Sequence, residues 1–382
     1  MDRALQTEIA RRLFAHMAAR TTDLAPREMY QPAESYIDPA QATREREKIF
    51  RKLPSIVCHE SELANPHDYV TADIVGVPVV AVRQPDGTVR AFTNVCRHRG
   101  SRLVTAERGN ARQFVCPFHA WTYGTDGTLR NIAYPDGFCG VDRGDHSLVR
   151  LPCEVRHGLV WVTPVADGAL DLDDHLGPEL DRELAGWRLV RAVYERSENF
   201  DLPINWKLVV DGFMEDYHLC VLHKSTIGPY MMANLHEYSA FRSHSRLVAS
   251  RASLAKLAEH DPETVDLLPS AIFIYALFPG QILVWQADHF ELWTIRPHAT
   301  DALRATVSAR LLAPTAASRE TERPLWDRNW KILMDTVQAE DWVAARDIQD
   351  GIAGGGQSHF VFGRNEPALQ HFHREVARAT AA

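Results

Sequence analysis

Two short motifs constrain this chain more than anything else in it: Cys96-Arg97-His98 and Cys116-Pro117-Phe118-His119. Each offers one sulfur and one imidazole donor, and seventeen residues lie between His98 and Cys116. Two tight loops are needed to pinch one centre from two sides, and the flanking sequence supplies them. Residues 73–83 (DIVGVPVVAVR) and 88–95 (TVRAFTNV) are rich in β-branched residues and are separated by the turn pair Asp86-Gly87, which is a hairpin signal. The device recurs at Asp126-Gly127 and at His157-Gly158. Residues 70–164 therefore read as a small all-β domain.

Two cysteines and two histidines at this spacing suit two kinds of centre. One is tetrahedral zinc. The other is a [2Fe–2S] cluster of the Rieske kind, in which two imidazoles replace two thiolates on one iron and raise the potential. Spacing alone leaves both open.

The remaining sequence narrows the class. With 382 residues there is room for two or three cores, and 45% hydrophobic with 24% charged residues is ordinary for a globular protein. A net charge of -8 and no basic run speak against nucleic-acid binding. No stretch of 18 apolar residues occurs. The first twenty residues mix charges with apolar positions and read as an amphipathic helix, not a leader peptide, so a cytoplasmic protein without a membrane span is expected. Six cysteines spread along such a chain are expected as thiols or metal ligands. Residues 166–184 are acidic with Gly177 and Pro178, and read as a loop between domains. Beyond it, 205–222 and 324–348 have helical texture, and 193–202, 271–296 and 306–313 read as strands. The second domain is thus expected to be α+β, an antiparallel sheet packed with helices.

Residues 205–224 read NWKLVVDGFMEDYHLCVLHK and hold a second constellation, Glu215, Asp216, His218 and His223. Two histidines plus a carboxylate form the facial triad of non-haem iron oxygenases, which leaves positions for O₂ and substrate. His218 and His223 are five residues apart, about 140° around a regular helix, so the helix should end or bulge between them. Glu215 lies three residues before His218, within reach on a helix.

At this point the chain resembles the large (alpha) subunit of the Rieske non-haem iron aromatic-ring-hydroxylating oxygenases. The resemblance rests on CRHRG (96–100), CPFHAW (116–121), the NWK and Glu215–His223 segment, and AEDWVAARDIQDG (339–351). It implies an N-terminal helical segment (1–45) packed on the catalytic domain, an all-β Rieske domain (46–165) and a helix-grip, START-like catalytic domain (166–382). Cys96, His98, Cys116 and His119 would hold one [2Fe–2S] cluster; His218, His223 and Asp341 would hold one mononuclear Fe(II). Glu215 would bridge His218 to a cluster histidine of a neighbouring subunit, and Tyr217 also matches the family, so these two are the catalytic candidates. Phe213, Met231, Met232, Phe273 and Trp285, with Phe278 and Trp293, are candidates for an apolar substrate pocket. The family arrangement implies a homotrimer fed by a separate NAD(P)H reductase or ferredoxin, since no Gly-rich dinucleotide fingerprint is present. The substrate would be a small, mainly hydrophobic or aromatic compound, hydroxylated with O₂; a quaternary amine or methoxy compound undergoing demethylation is the alternative. Two departures stand out: Ala120 where the family usually has Gly, and Asp211-Gly212 where it usually has Glu-Asn. A Rieske electron carrier and a zinc-stabilised binding protein are the readings from other classes, and neither explains His218, His223 and Asp341.

Overall fold

The computed structural model describes residues 1–381. The chain forms two compact units: Phe50–Leu172, and a second made of Met1–Ile49 with Asp173–Ala382.

The first unit is built from antiparallel strands. A five-stranded sheet runs in the order Arg150–Leu151, Val89–Thr93, Val77–Arg83, Asp68–Ile74, Arg108–Asn110. Two three-stranded sheets accompany it, one of Cys153–Arg156, Leu159–Val162 and Ser55–His59, the other of Gln113–Val115, Thr122–Gly124 and Leu129–Asn131. The turn pairs do what their backbones allow. His157 and Gly158 both have positive φ, 55° and 79°, as a two-residue hairpin link requires. At Gly127 any side chain would collide with the Phe92 ring, 2.5 Å from where its Cβ would stand.

The second unit centres on a seven-stranded antiparallel sheet in the order Val193–Leu202, Ala305–Ala313, Phe290–Pro297, Gln281–Trp285, Ala271–Leu277, His244–Arg251, Met231–Phe241. Cross-strand register sorts its side chains onto two faces, because directly paired residues point the same way. Phe273, Trp285 and Phe290 are paired in sequence and share one face with Tyr275 and Arg246. Trp187 covers this face, its ring 5.3 Å from Phe273, 5.5 Å from Trp285 and 5.6 Å from Phe290. The helix Arg3–Ala19 packs there too: Arg12 pairs with buried Glu237, which also meets Arg246 at 3.2 Å. Ile282, Trp293 and Ala309 are paired on the opposite face, as are Val284, Glu291 and Leu311. The helix Arg323–Thr336 packs there through Trp326, on Leu311 and Ala313.

Residues 172–187 correct the expectation of a loop. They form the helix Leu172–Trp187, in two pieces joined at Gly177 (φ 70°). Leu172, Leu176, Leu180 and Leu184 are all buried at four-residue spacing. That stripe outweighs the local cost of Gly177 and Pro178, because proline is tolerated in the first turn of the second piece.

Candidate metal centres

The two cysteine–histidine loops have the same backbone construction. In each, the cysteine carbonyl accepts from the N–H four residues on (Gly100 at 2.9 Å, Ala120 at 3.0 Å), and the cysteine N–H donates to the carbonyl five residues on (Ser101 and Trp121, both 2.8 Å). The residue four positions on is left-handed in both loops: Gly100 at φ 79° and Ala120 at φ 55°. Ala120 is thus more than one extra methyl, since an L-residue in this region is strained. Ala120→Gly is expected to stabilise this unit by about 0.5–1 kcal/mol, the strain released less the added freedom of glycine in the unfolded chain. Thermal unfolding followed through the unit's own signal would check it, and an unchanged or lowered midpoint would count against it.

Cys96 and Cys116 are both buried. Tyr123 places its hydroxyl 3.4 Å from Cys96 Sγ while accepting the Arg97 N–H at 3.0 Å. His98 stacks on Trp121 with ring centres 4.8 Å apart and meets the His119 ring edge-on, also at 4.8 Å. The Nδ1 atoms of His98 and His119 are buried without a hydrogen-bond partner. Buried imidazole nitrogens are ordinarily satisfied, so two adjacent orphans beside two thiols are what metal-ligand positions look like. Burial, then the neighbouring His119 and Arg99, push His98 below its ordinary pKa, which favours the neutral ligand form. Two thiols and two imidazoles carried on separate loops suit a cluster that holds its thiolates on one iron and its imidazoles on the other.

The second centre is assembled from two distant stretches. Trp206–Asp211 is a short helix capped by Asn205, whose Oδ1 accepts from the Lys207 N–H at 2.9 Å. Lys207, 1% exposed, lies 2.6 Å from the buried carboxylate of Glu45, which also accepts from Trp206 Nε1 at 2.7 Å. Asp211 accepts from the Tyr36 hydroxyl at 2.7 Å and lies 2.9 Å from His373 Nε2. The NWK segment and Asp211 thereby tie the ligand-bearing stretch to both ends of the unit.

The helix stops at Gly212 and resumes only as the single turn Leu219–Leu222, flanked by His218 and His223. Glu215 and His218 are therefore not neighbours on a helix face, as their spacing predicts. Glu215 instead acts as a local cap: its Oε2 accepts from the N–H groups of Tyr217 (2.8 Å) and His218 (3.1 Å), and its Oε1 pairs with His218 Nδ1. This competition by a side chain for backbone donors is what breaks the helix. Asp216 faces inward and takes Leu235 N–H at 3.1 Å and His236 Nδ1 at 2.8 Å. Tyr217 is 47% exposed.

The third ligand candidate arrives on the far stretch. Between the helices Arg323–Thr336 and Trp342–Ala353, residues Val337–Asp341 form one wide π-turn. Such a turn inserts one extra residue and re-aims the side chains beyond it. The buried face accordingly continues as Trp342, Ala345, Gln349 and Ile352, while Ile348 is 46% exposed. Two consecutive acids now reach the same imidazole. Asp341 Oδ1 is 3.2 Å from His223 Nε2 and 3.8 Å from His218 Nε2, and Glu340 Oε2 is 2.7 Å from His223 Nδ1. Thr226 donates to that same Glu340 oxygen at 2.7 Å. Burial disfavours the His223 cation, but Asp341 and Glu340 outweigh it and its pKa lies above the ordinary value.

Each histidine thus has Nδ1 on its own carboxylate and Nε2 turned toward Asp341, which fixes both tautomers for metal binding. Glu340 gives no signal in the sequence beyond its place beside Asp341. Glu340→Ala is expected to weaken iron binding at this centre about 10–100-fold. Titrating iron into the metal-free variant would measure this, and unchanged affinity would reduce Glu340 to a surface acid.

The pocket candidates divide between the two sheet faces. Phe213 meets Trp293 at 5.3 Å, on the sheet face that the helix Arg323–Thr336 covers, and buried Met231 pairs with Arg251 at the far edge of the sheet. Met232 is half-buried. Phe273 and Trp285 correct the expectation: they project from the opposite face, into the Trp187 cluster.

Residues 189–382 match the family described as "Ring hydroxylating alpha subunit (catalytic domain)", and residues 54–142 match "Rieske [2Fe-2S] domain". A domain of the second kind holds a [2Fe–2S] cluster and one of the first a mononuclear iron, and the two donor sets described above fit these groups. The chain is 34% identical over 192 residues to a benzene 1,2-dioxygenase subunit alpha from Pseudomonas putida, covering 48% of this chain and 42% of that one. It is 35% identical over 197 residues to the carnitine monooxygenase oxygenase subunit of Escherichia coli, covering 50% and 51%. The matches thus span about half the length of these curated relatives. Among solved structures, a quaternary ammonium Rieske monooxygenase in complex with L-carnitine shares the fold with a TM-score of 0.75 at 23% identity, covering 94% and 96% of the two chains. Naphthalene 1,2-dioxygenase from Rhodococcus sp. does so at 0.76 and 19%, covering 98% of each. No helix among the described residues is long and apolar enough to cross a membrane.

Proposed function

Because the chain belongs to the family of ring-hydroxylating alpha subunits, we propose that it is the terminal oxygenase component of a Rieske system. It would hydroxylate a small, mainly hydrophobic organic substrate with O₂. One observation carries this reading: His218, His223 and Asp341 bring their donor atoms within 4.8 Å of one another, with each imidazole backed by a separate carboxylate.

In this reading Cys96, His98, Cys116 and His119 hold the cluster, and His218, His223 and Asp341 hold the iron. An iron held by these residues would supply reductive activation of O₂ beside the substrate. The chain's own residues set the conditions. Glu215 and Glu340 hold the two imidazoles in orientation. Phe213, Trp293 and Met231 offer an apolar wall that orients substrate and excludes water. Glu215 would also face the cluster of a neighbouring copy, which makes a homotrimer the functional form. Electrons would come from a separate NAD(P)H-dependent reductase or ferredoxin, and the site of action would be cytoplasmic.

Metal analysis and an absorption spectrum on anaerobically purified protein test the reading. About three irons per chain and a red-brown Rieske spectrum are expected. About two irons would leave an electron carrier, and zinc without colour would sink the proposal.

A further inference from the structure

His223 closes the single turn Leu219–Leu222, and the chain beyond it folds straight back on itself. The His223 carbonyl accepts two backbone N–H groups, from Thr226 at 3.0 Å and from Gly228 at 2.8 Å. The resulting turn leaves no room for a side chain at 228. A Cβ there would stand 2.7 Å from the His223 carbonyl oxygen, 2.8 Å from that of Leu219 and 3.0 Å from the His223 carbonyl carbon. All three are backbone atoms, which cannot swing aside as a side chain would. The stretch that presents the His223 ring is therefore shut tight against itself.

Thr226 ties this turn to the distant stretch that carries Asp341. Its hydroxyl lies 2.7 Å from Glu340 Oε2 and 3.3 Å from the His223 carbonyl oxygen. The shorter contact is to a carboxylate and takes the proton. That same Oε2 meets His223 Nδ1 at 2.7 Å. One oxygen of Glu340 thus receives two donors from the 223–228 turn, an imidazole and a hydroxyl. A carboxylate held by the imidazole alone is free to pivot about that contact. Held by both, it has one orientation, and so does the ring. Thr226 and Glu340 are 114 residues apart in the chain, and Asp341 directly follows Glu340. The hydroxyl therefore joins the two stretches that supply His223 and Asp341.

We infer that Thr226 is a positioning residue of the iron centre, which acts through Glu340 to hold His223 and Asp341 at their mutual bearing. This rests on the reading of His218, His223 and Asp341 as the iron site and goes beyond the ligand set. Preorganisation of this kind raises affinity by removing the cost of ordering the ligands on binding.

Iron affinity tests it on the full-length protein, with the cluster in place and the mononuclear site emptied by chelation. Fe(II) is titrated anaerobically in competition with a chromophoric chelator. Thr226→Val keeps the side-chain shape and removes the hydroxyl, and it is expected to weaken binding about tenfold. Thr226→Ser should restore native affinity. In a Glu340→Ala background, Thr226→Val should cost nothing further, since the hydroxyl has lost the group through which it acts. The cluster spectrum and the thermal midpoint show that each variant is folded. A purely structural threonine would lower the midpoint and leave iron affinity alone. Native affinity in Thr226→Val, failure of Thr226→Ser to bind more tightly than Thr226→Val, or a full further loss in the Glu340→Ala background would overturn the inference. A native protein that takes up no iron at this site would overturn the oxygenase reading itself, so the two failures are distinct.

Discussion

His223→Ala is expected to lose about one of three irons per chain, keep the visible spectrum of the cluster, and lose oxygenase turnover to background. The expectation rests on how completely His223 is committed. Its side chain is 2% exposed, with Nε2 turned to Asp341 and Nδ1 to Glu340. No other imidazole among the described residues stands in that group to replace it. Removing the ring leaves two ligand candidates, and it leaves Asp341 and Glu340 as adjacent carboxylates with no cation between them. A purely structural histidine would behave differently: stability would fall and iron content would not. Iron analysis beside thermal unfolding separates the cases, and full iron retention in a folded variant would remove His223 from the proposed ligand set.

Glu215→Gln is expected to cut turnover about 100-fold or more while both metal centres stay loaded. Both carboxylate oxygens of Glu215 are in use, one on His218 Nδ1 and the other on two backbone N–H groups. An amide has a single accepting oxygen, so one of these contacts must fail, and the negative charge proposed to link the centres of neighbouring copies is lost. Glu215→Asp should recover part of the rate, because charge returns on a shorter arm. The decisive readout is single-turnover oxidation of the pre-reduced cluster. A rate equal to that of the native protein would confine Glu215 to holding a loop.

The parts legible in sequence are those whose chemistry depends on spacing alone. Cys96-x-His98 and Cys116-x-x-His119 need no tertiary knowledge to be recognised, and the turns at Asp86-Gly87, Asp126-Gly127 and His157-Gly158 declare themselves through backbone preference. Residues 172–187 were hidden because the Leu172–Leu184 stripe runs through Gly177-Pro178, and local punctuation masked a periodicity that only burial reveals. The break at Gly212 was hidden for the opposite reason. Residues 206–222 have good helical texture, but Glu215 takes the backbone donors a continuous helix would use. The π-turn at Val337–Asp341 shifts the inward face by one position, which leaves Ile348 exposed and turns Glu340 to His223, a change no regular helical period foretells. The aromatic residues could not be sorted either. Phe273 and Trp293 look alike in sequence, and only strand register puts one on each side of the sheet.

The cluster-bearing unit is an uninterrupted stretch, Phe50–Leu172, inserted into a unit whose own pieces lie on both sides of it. This sets an order on biosynthesis, since domains generally fold as they emerge. Residues 1–49 leave the ribosome first, yet Tyr36 and Glu45 must wait for Asp211, Trp206 and Lys207, more than 150 residues behind them. The inserted stretch needs nothing downstream to complete its four proposed cysteine and histidine ligands. Asp341 is the last of the proposed iron ligands to be made. A nascent chain can thus acquire its electron-transfer group well before it can bind the iron at which oxygen would react, so the more hazardous chemistry is withheld until the polypeptide is nearly finished.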